Sequence, residues 1–180
     1  YLIGKDPRAA VHHWQAIYRQ AFYRGDAVLT SALSGIDMAL WDIKGKALGV
    51  PVFELLGGPT RSRVRVYAHV RDAEAARKQK ARGFSVFKTG LLGDRPLRFV
   101  DTPDHVDDVL ARIHRIRDAV GGGCELAIDF HGAASPAMAR VLLRELESVR
   151  PMFIEEPCLP GNVDVLAGVA RSTTIPIAAG

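Results

Sequence analysis

From residue 64 onward, five short apolar runs alternate with four longer amphipathic ones. Alternation of that kind is the mark of repeated βα units, whose strands pair in parallel and are covered by the crossover helices. The spacing predicts strands over 64–70, 84–88, 125–129, 151–155 and 175–179, and helices over 72–82, 103–120, 136–149 and 163–171. Parallel strands cannot be joined by tight hairpins, so this pattern excludes the all-β classes and requires an α/β fold. A doubly wound sheet and a (β/α)8 barrel both fit the order, and both carry their chemistry at the C-terminal ends of the strands.

The residues before this region read differently. Val11, Trp14, Ile17, Tyr18 and Phe22 recur at helical spacing over 8–23, and Gly25 ends the run. A second helix starts near Asp26, carries Leu29, Leu33, Ile36, Leu40, Ile43 and Ala47, and stops at Gly49 and Pro51. Residues 52–56 add a short turn before Gly57, Gly58 and Pro59. We therefore expect a helical domain over 1–62 and the βα units over 63–180.

Composition removes several functions. Lys and Arg number 24 against 20 Asp and Glu, but the basic residues are dispersed among acids without interleaved aromatics, so no nucleic-acid partner is expected. No apolar run approaches the ~18 residues of a membrane span, and the N-terminus lacks the order of a signal peptide. The expectation is a cytoplasmic protein with no membrane partner. Cys124 and Cys158 lack the close pairing of a zinc site and are expected to be reduced thiols. The chain starts at Tyr1, and the strand-like run before Gly180 has no closing element, so both ends read as cut.

Each middle strand runs straight into ionisable groups: Lys88 after the second, Asp129 and His131 after the third, Glu155 and Glu156 after the fourth. Asp129 and His131 differ by two and on extended backbone would project to one side. Neighbouring parallel strands lie ~4.8 Å apart, so Asp129 and Glu155 can converge. Two convergent carboxylates without thiolates suit a hard cation such as Mg2+. A glycosidase-like acid/base pair is the competing reading, and Lys88 could pair with these acids or serve as a Schiff-base lysine.

The runs SALSGIDMALWDIKGKALGVPVFELLGG (31–58), ELAIDFHG (125–132), FIEEP (153–157) and IPIAAG (175–180), in this order, resemble the mandelate racemase branch of the enolase superfamily. Within it the similarity is greatest to sugar-acid dehydratases of the galactonate dehydratase type. The resemblance implies the first half of a TIM-type barrel over 63–180, preceded by the helical part of an α+β capping domain over 1–62. It further implies a homo-oligomer acting on a small sugar acid.

By the same resemblance Asp129 and Glu155 are Mg2+ ligands, and His131 is the general acid that protonates the departing hydroxyl. Lys88 corresponds to the first lysine of the family's Lys-x-Lys strand end and would bind the substrate carboxylate. The second lysine, the base of racemases and epimerases, is Gly90 here. The family's third metal ligand follows the Ala-Ala-Gly motif that ends at Gly180, and the dehydratase base lies on later strands. The implied reaction removes the proton α to a carboxylate through an enediolate and eliminates the β-hydroxyl to give a 2-keto-3-deoxy acid. An epimerase or cycloisomerase of the same superfamily, and a non-catalytic fragment or interaction module, are the alternatives.

The remaining polar residues have plainer expectations. His12, His13, His105 and His114 fall on helices without ligand spacing and are expected at the surface. His69, ending the first strand, can face the site. Asp37, Asp42 and Lys44 read as scaffold contacts among core residues, and the charges of the 103–120 helix as a solvated face. Arg95 and Arg98 occupy the loop after the second strand, where solvation is expected over substrate binding. The glycines at 121–123 precede a strand rather than a helix and form no phosphate cradle.

Overall fold

A computed structural model describes residues 1–20, 22, 24–91 and 97–179, which divide into two compact units, Tyr1–Val64 and Arg65–Gly180. The first unit contains α1 (Ala10–Gln20), α2 (Ala27–Leu48) and the single turn α3 (Val52–Leu55). Asp26 caps α2 by accepting hydrogen bonds from the amides of Val28 and Leu29, and Gly49 ends it in the left-handed conformation, φ 70°. Gly45 is required by packing, because a Cβ there would stand 2.7 Å from the Val50 carbonyl oxygen.

Two expectations for this unit are corrected. His13 is buried, because its ring reaches the Asp6 carbonyl at 2.8 Å and the Tyr1 hydroxyl at 3.3 Å. Asp42 is exposed and pairs one turn on with Lys46 at 2.6 Å, while Lys44 lies over the Trp41 ring. Neither is held among core side chains: the outer face of α2 can satisfy both locally.

The second unit is a parallel five-stranded sheet in the order β1 (Ala68–His69), β2 (Val86–Gly90), β3 (Glu125–Asp129), β4 (Ile154–Glu155) and β5 (Ile177–Ala178). Helices α4 (Ala73–Ala81), α5 (Pro103–Val120), α6 (Pro136–Leu146) and α7 (Val163–Ala170) make the crossovers. Each strand joins the same edge with no reversal, which is the progression of a partial barrel and not of a doubly wound sheet.

Strand alternation divides the sheet into two faces. Phe87, Leu126, Ile128 and Ile154 are fully buried against Ile113, Ile116, Leu142 and Leu146 of the covering helices. The alternate set, Lys88, Gly90, Asp129, Glu155 and Ala178, faces the other way. β1, β4 and β5 are shorter than the apolar runs suggest: Val64 and Val66 are exposed, and the ladder starts only where Ala68 meets Phe87. Apolar β-formers without a partner build no strand.

Three helix-borne groups also depart from expectation. Arg112 is no solvated charge; its Nη2 donates to the carbonyls of Gly90 at 2.6 Å and Leu91 at 2.7 Å, tying α5 to the end of β2. Arg117 donates from Nε to the Val149 carbonyl at 3.0 Å and from Nη1 to that of Cys124 at 2.8 Å. α6 gives way to a 3₁₀ turn at Glu147–Val149, followed by Arg150 at φ 48°. His105 is buried 3.7 Å from the fully buried carboxylate of Asp101, not exposed. No helix among the described residues is long and apolar enough to cross a membrane.

Candidate active site at the strand ends

Lys88, Asp129, His131 and Glu155 meet in one cluster. Register pairs Gly90 with Asp129 and Asp129 with Glu155, which sets the two carboxylates side by side on adjacent strands. Lys88 starts two residues lower on β2, and its four-carbon stem lifts the ammonium between them. Nζ stands 2.8 Å from Asp129 Oδ2 and 2.5 Å from Glu155 Oε2. Lys88 and Asp129 are buried, and the Glu155 side chain is 31% exposed.

Electrostatics explain why the Lys88 and Asp129 charges persist here. Burial alone would lower the Lys88 pKa, but hydrogen bonds and charges from Asp129 and Glu155 outweigh it and hold the ammonium above the usual lysine range. Burial likewise pushes the Asp129 carboxyl up, and the Lys88 hydrogen bond, the His131 amide and the neighbouring charges bring it below its ordinary value.

His131 reaches the cluster by a route different from the expected one. The strand stops at Asp129, and His131 adopts φ 50°, so the two side chains do not meet through extended-strand alternation. Instead the His131 amide donates to Asp129 Oδ1 at 2.9 Å, closing an Asx-type turn that folds the ring back until Nε2 lies 3.0 Å from Oδ2. The ring is 62% exposed and open to an incoming molecule. Gly132, at φ 64°, continues the turn and donates its amide to the Glu156 carbonyl at 2.9 Å. Glu156, at φ 44°, is thereby engaged through its backbone.

Tyr67 was not singled out by the sequence; its ring centroid lies 5.6 Å from Lys88 Nζ, a cation–π contact. Its place two residues before His69, in an apolar run beside Lys88, was the available signal. Arg98 uses its backbone amide on Asp101 Oδ2 at 2.9 Å, while Arg95 and Gly180 lie outside the described residues.

The donor set is hard: carboxylate oxygens already gathered around a positive charge, without a thiolate. Among the described residues no group of three or more His, Cys, Asp or Glu converges as a ready-made metal cage. Two carboxylates are nevertheless the protein share that Mg2+ commonly takes, with waters and substrate completing its shell. The residues fit that ion.

A parallel half-barrel with acids at two strand ends and a lysine at a third defines a class, and family comparison agrees. Residues 1–57 match the family model described as Mandelate racemase / muconate lactonizing enzyme, N-terminal domain, and residues 71–180 match Enolase C-terminal domain-like. The chain belongs to the mandelate racemase/muconate lactonizing enzyme family of the enolase superfamily.

Among individual relatives it is 49% identical to a D-galactonate dehydratase of Ralstonia pickettii and 48% identical to one of Verminephrobacter eiseniae, in each case over 100% of this chain and 48% of the relative. It thus spans about half the length of the curated relatives it matches. The 3,6-anhydro-D-galactonate cycloisomerase of Zobellia galactanivorans superposes with TM-score 0.87 at 34% identity, covering 98% of this chain and 49% of that one. An enolase from Pantoea ananatis with bound D-gluconate and Mg superposes with TM-score 0.80 at 29% identity, covering 98% and 51%.

Proposed function

We propose that the protein is a Mg2+-dependent hydro-lyase that converts a sugar acid, an aldonate of the galactonate type, into a 2-keto-3-deoxy acid. The observation that carries this reading is the Lys88 ammonium bracketed by Asp129 and Glu155, with the His131 ring 3.0 Å from Asp129 Oδ2 at the open side. The dehydratase relatives support the substrate class. In this reading residues 63–180 are the first half of the catalytic barrel, residues 1–62 are the helical part of a capping domain, and the whole protein is a homo-oligomer.

Asp129 and Glu155 would hold the ion. Bound there, Mg2+ would supply the electrophile that makes transfer of the proton α to a carboxylate feasible near neutral pH, the accepting base standing on the later strands of the full-length barrel. Lys88, displaced from at least one carboxylate, keeps its charge and turns it to the substrate carboxylate. His131, on the solvent side of Asp129, delivers a proton to the β-hydroxyl as the C–O bond breaks, so that water leaves instead of hydroxide. The enol left behind tautomerises to the 2-keto product. Gly90, the register partner of Asp129, presents no side chain, so β2 offers no second lysine to act as the base of an epimerase.

The test is to incubate the full-length protein with Mg2+ and a panel of aldonic acids and to assay 2-keto-3-deoxy acids. His131→Asn is expected to lower kcat by ~10²- to 10⁴-fold, the usual share of general acid catalysis. An active enzyme in which His131→Asn dehydrates as fast as wild type refutes the assignment, and a complete panel without product refutes the activity.

A further inference from the structure

The mechanism above leaves the β1 side of the site unused. Ala68 and Val70 are buried against the helix layer, so alternation turns Tyr67 and His69 to the face that carries Lys88, Asp129 and Glu155. Two independent observations agree. His69 is the register partner of Lys88, and the Tyr67 ring reaches the Lys88 ammonium.

Adjacent parallel strands lie about 4.8 Å apart, so the register sets His69 beside Lys88 on the side away from Asp129. His69 is exposed, and its imidazole has no hydrogen-bond or ion-pair partner among the described residues. A neutral imidazole offers one donor and one acceptor. That pair matches a hydroxyl, which also donates and accepts, better than a carboxylate, which only accepts.

We infer that His69 is a specificity-determining residue that hydrogen-bonds a hydroxyl of the substrate's polyol chain on the β1 side of the site. The inference rests on the dehydratase reading. A sugar acid anchored by its carboxylate near Lys88 has several hydroxyls to place, and β1 is the neighbour of β2 on the side away from the acids. His69 reads the configuration of one of them, and a substrate lacking that hydroxyl has nothing to lose when His69 is removed.

The experiment compares full-length wild type, His69→Ala and His69→Gln by steady-state kinetics on the preferred aldonate and on analogues each lacking one hydroxyl from C4 outward. His69→Ala should lower kcat/KM for the parent about 10- to 100-fold, the range of one lost hydrogen bond with its partner left unsatisfied. For one deoxy analogue wild type and variant should agree within about twofold, and His69→Gln should recover part of the loss on the parent. Equal kinetics on every substrate, or a uniform loss that includes every deoxy analogue, overturns the inference. Should His69→Ala lack a cooperative thermal transition, the same comparison is read from His69→Gln. An active wild type with indifferent His69 variants refutes this inference alone, whereas a wild type inactive on all sugar acids refutes the dehydratase reading and this inference together.

Discussion

Replacing Lys88 with methionine removes one charge and leaves two. Asp129 Oδ2 and Glu155 Oε2 both touch Nζ, so they lie within about 5 Å of each other. At an effective dielectric near 20, two like charges at that separation repel by about 3 kcal/mol. Breaking a buried ion pair by removing one member costs about 3–5 kcal/mol in general. The 31% exposure of Glu155 lets it turn to water and favours the lower end. We expect Lys88→Met to lose about 3 kcal/mol at pH 7, read from urea unfolding of the full-length protein in EDTA.

The loss should have two further signatures. Acidification to about pH 5 should restore part of it, because one carboxyl can then hold a proton; wild type should show no such gain. Millimolar Mg2+ should stabilise Lys88→Met more than wild type, since the ion no longer competes with an ammonium for the same oxygens. Lys88→Arg, which keeps the charge, should lose less. A Lys88→Met protein as stable as wild type in EDTA, or one indifferent to both pH and Mg2+, would show that the three charges are not coupled as the geometry requires.

In the unsubstituted protein Asp129 and Lys88 respond to pH at opposite ends of the scale. Asp129 is shifted down on folding, so its contribution is present above the unfolded value of about 3.9 and is lost as pH falls through the folded one. Lys88 is shifted up, so its contribution is present below about 10.4 and is lost as pH rises through the folded value. Asp129→Asn should make the acid limb shallower in urea-midpoint measurements across pH 2–6, the other downshifted carboxylates Asp6, Asp72 and Glu147 supplying the rest, and an unchanged limb would contradict the assignment. Arg112→Ala unties the carbonyls of Gly90 and Leu91 and should cost about 1.5–3 kcal/mol, the worth of a charged hydrogen bond, by urea unfolding; no change would leave Arg112 without the fastening role. Gly45→Ala drives a Cβ to 2.7 Å from the Val50 oxygen and should destabilise α2 by about 1–3 kcal/mol, seen as a lower thermal midpoint; an unchanged midpoint would mean the 49–52 turn yields freely.

Residue order alone settled those features that depend on near neighbours. The alternation in 125–129 placed Leu126 and Ile128 on one face and Asp129 on the other, and β3 has the expected bounds. The helix Pro103–Val120 likewise begins at its proline and ends before Gly121. Lys88, Asp129 and Glu155 stood out because ionisable groups ending apolar strands have one place to go, the rim of the sheet.

Tertiary structure decided what depends on distant partners. Whether the strands wind into a barrel or double back depends on which edge each new strand joins, and no local pattern encodes that choice. The side-by-side setting of Asp129 and Glu155 is a matter of inter-strand register. The reach of Lys88 to both acids follows from that register and its own long stem. His131 meets Asp129 through a left-handed turn closed by its own amide, where sequence spacing had suggested an extended strand. Arg112 and His105 looked like surface charges because helical periodicity reports only the side of a helix that is apolar; what a long polar side chain finds across a crossover is a property of the assembled chain. The chemistry of the groups was thus legible residue by residue, while their mutual distances, on which any catalysis depends, exist only once the strands are in register.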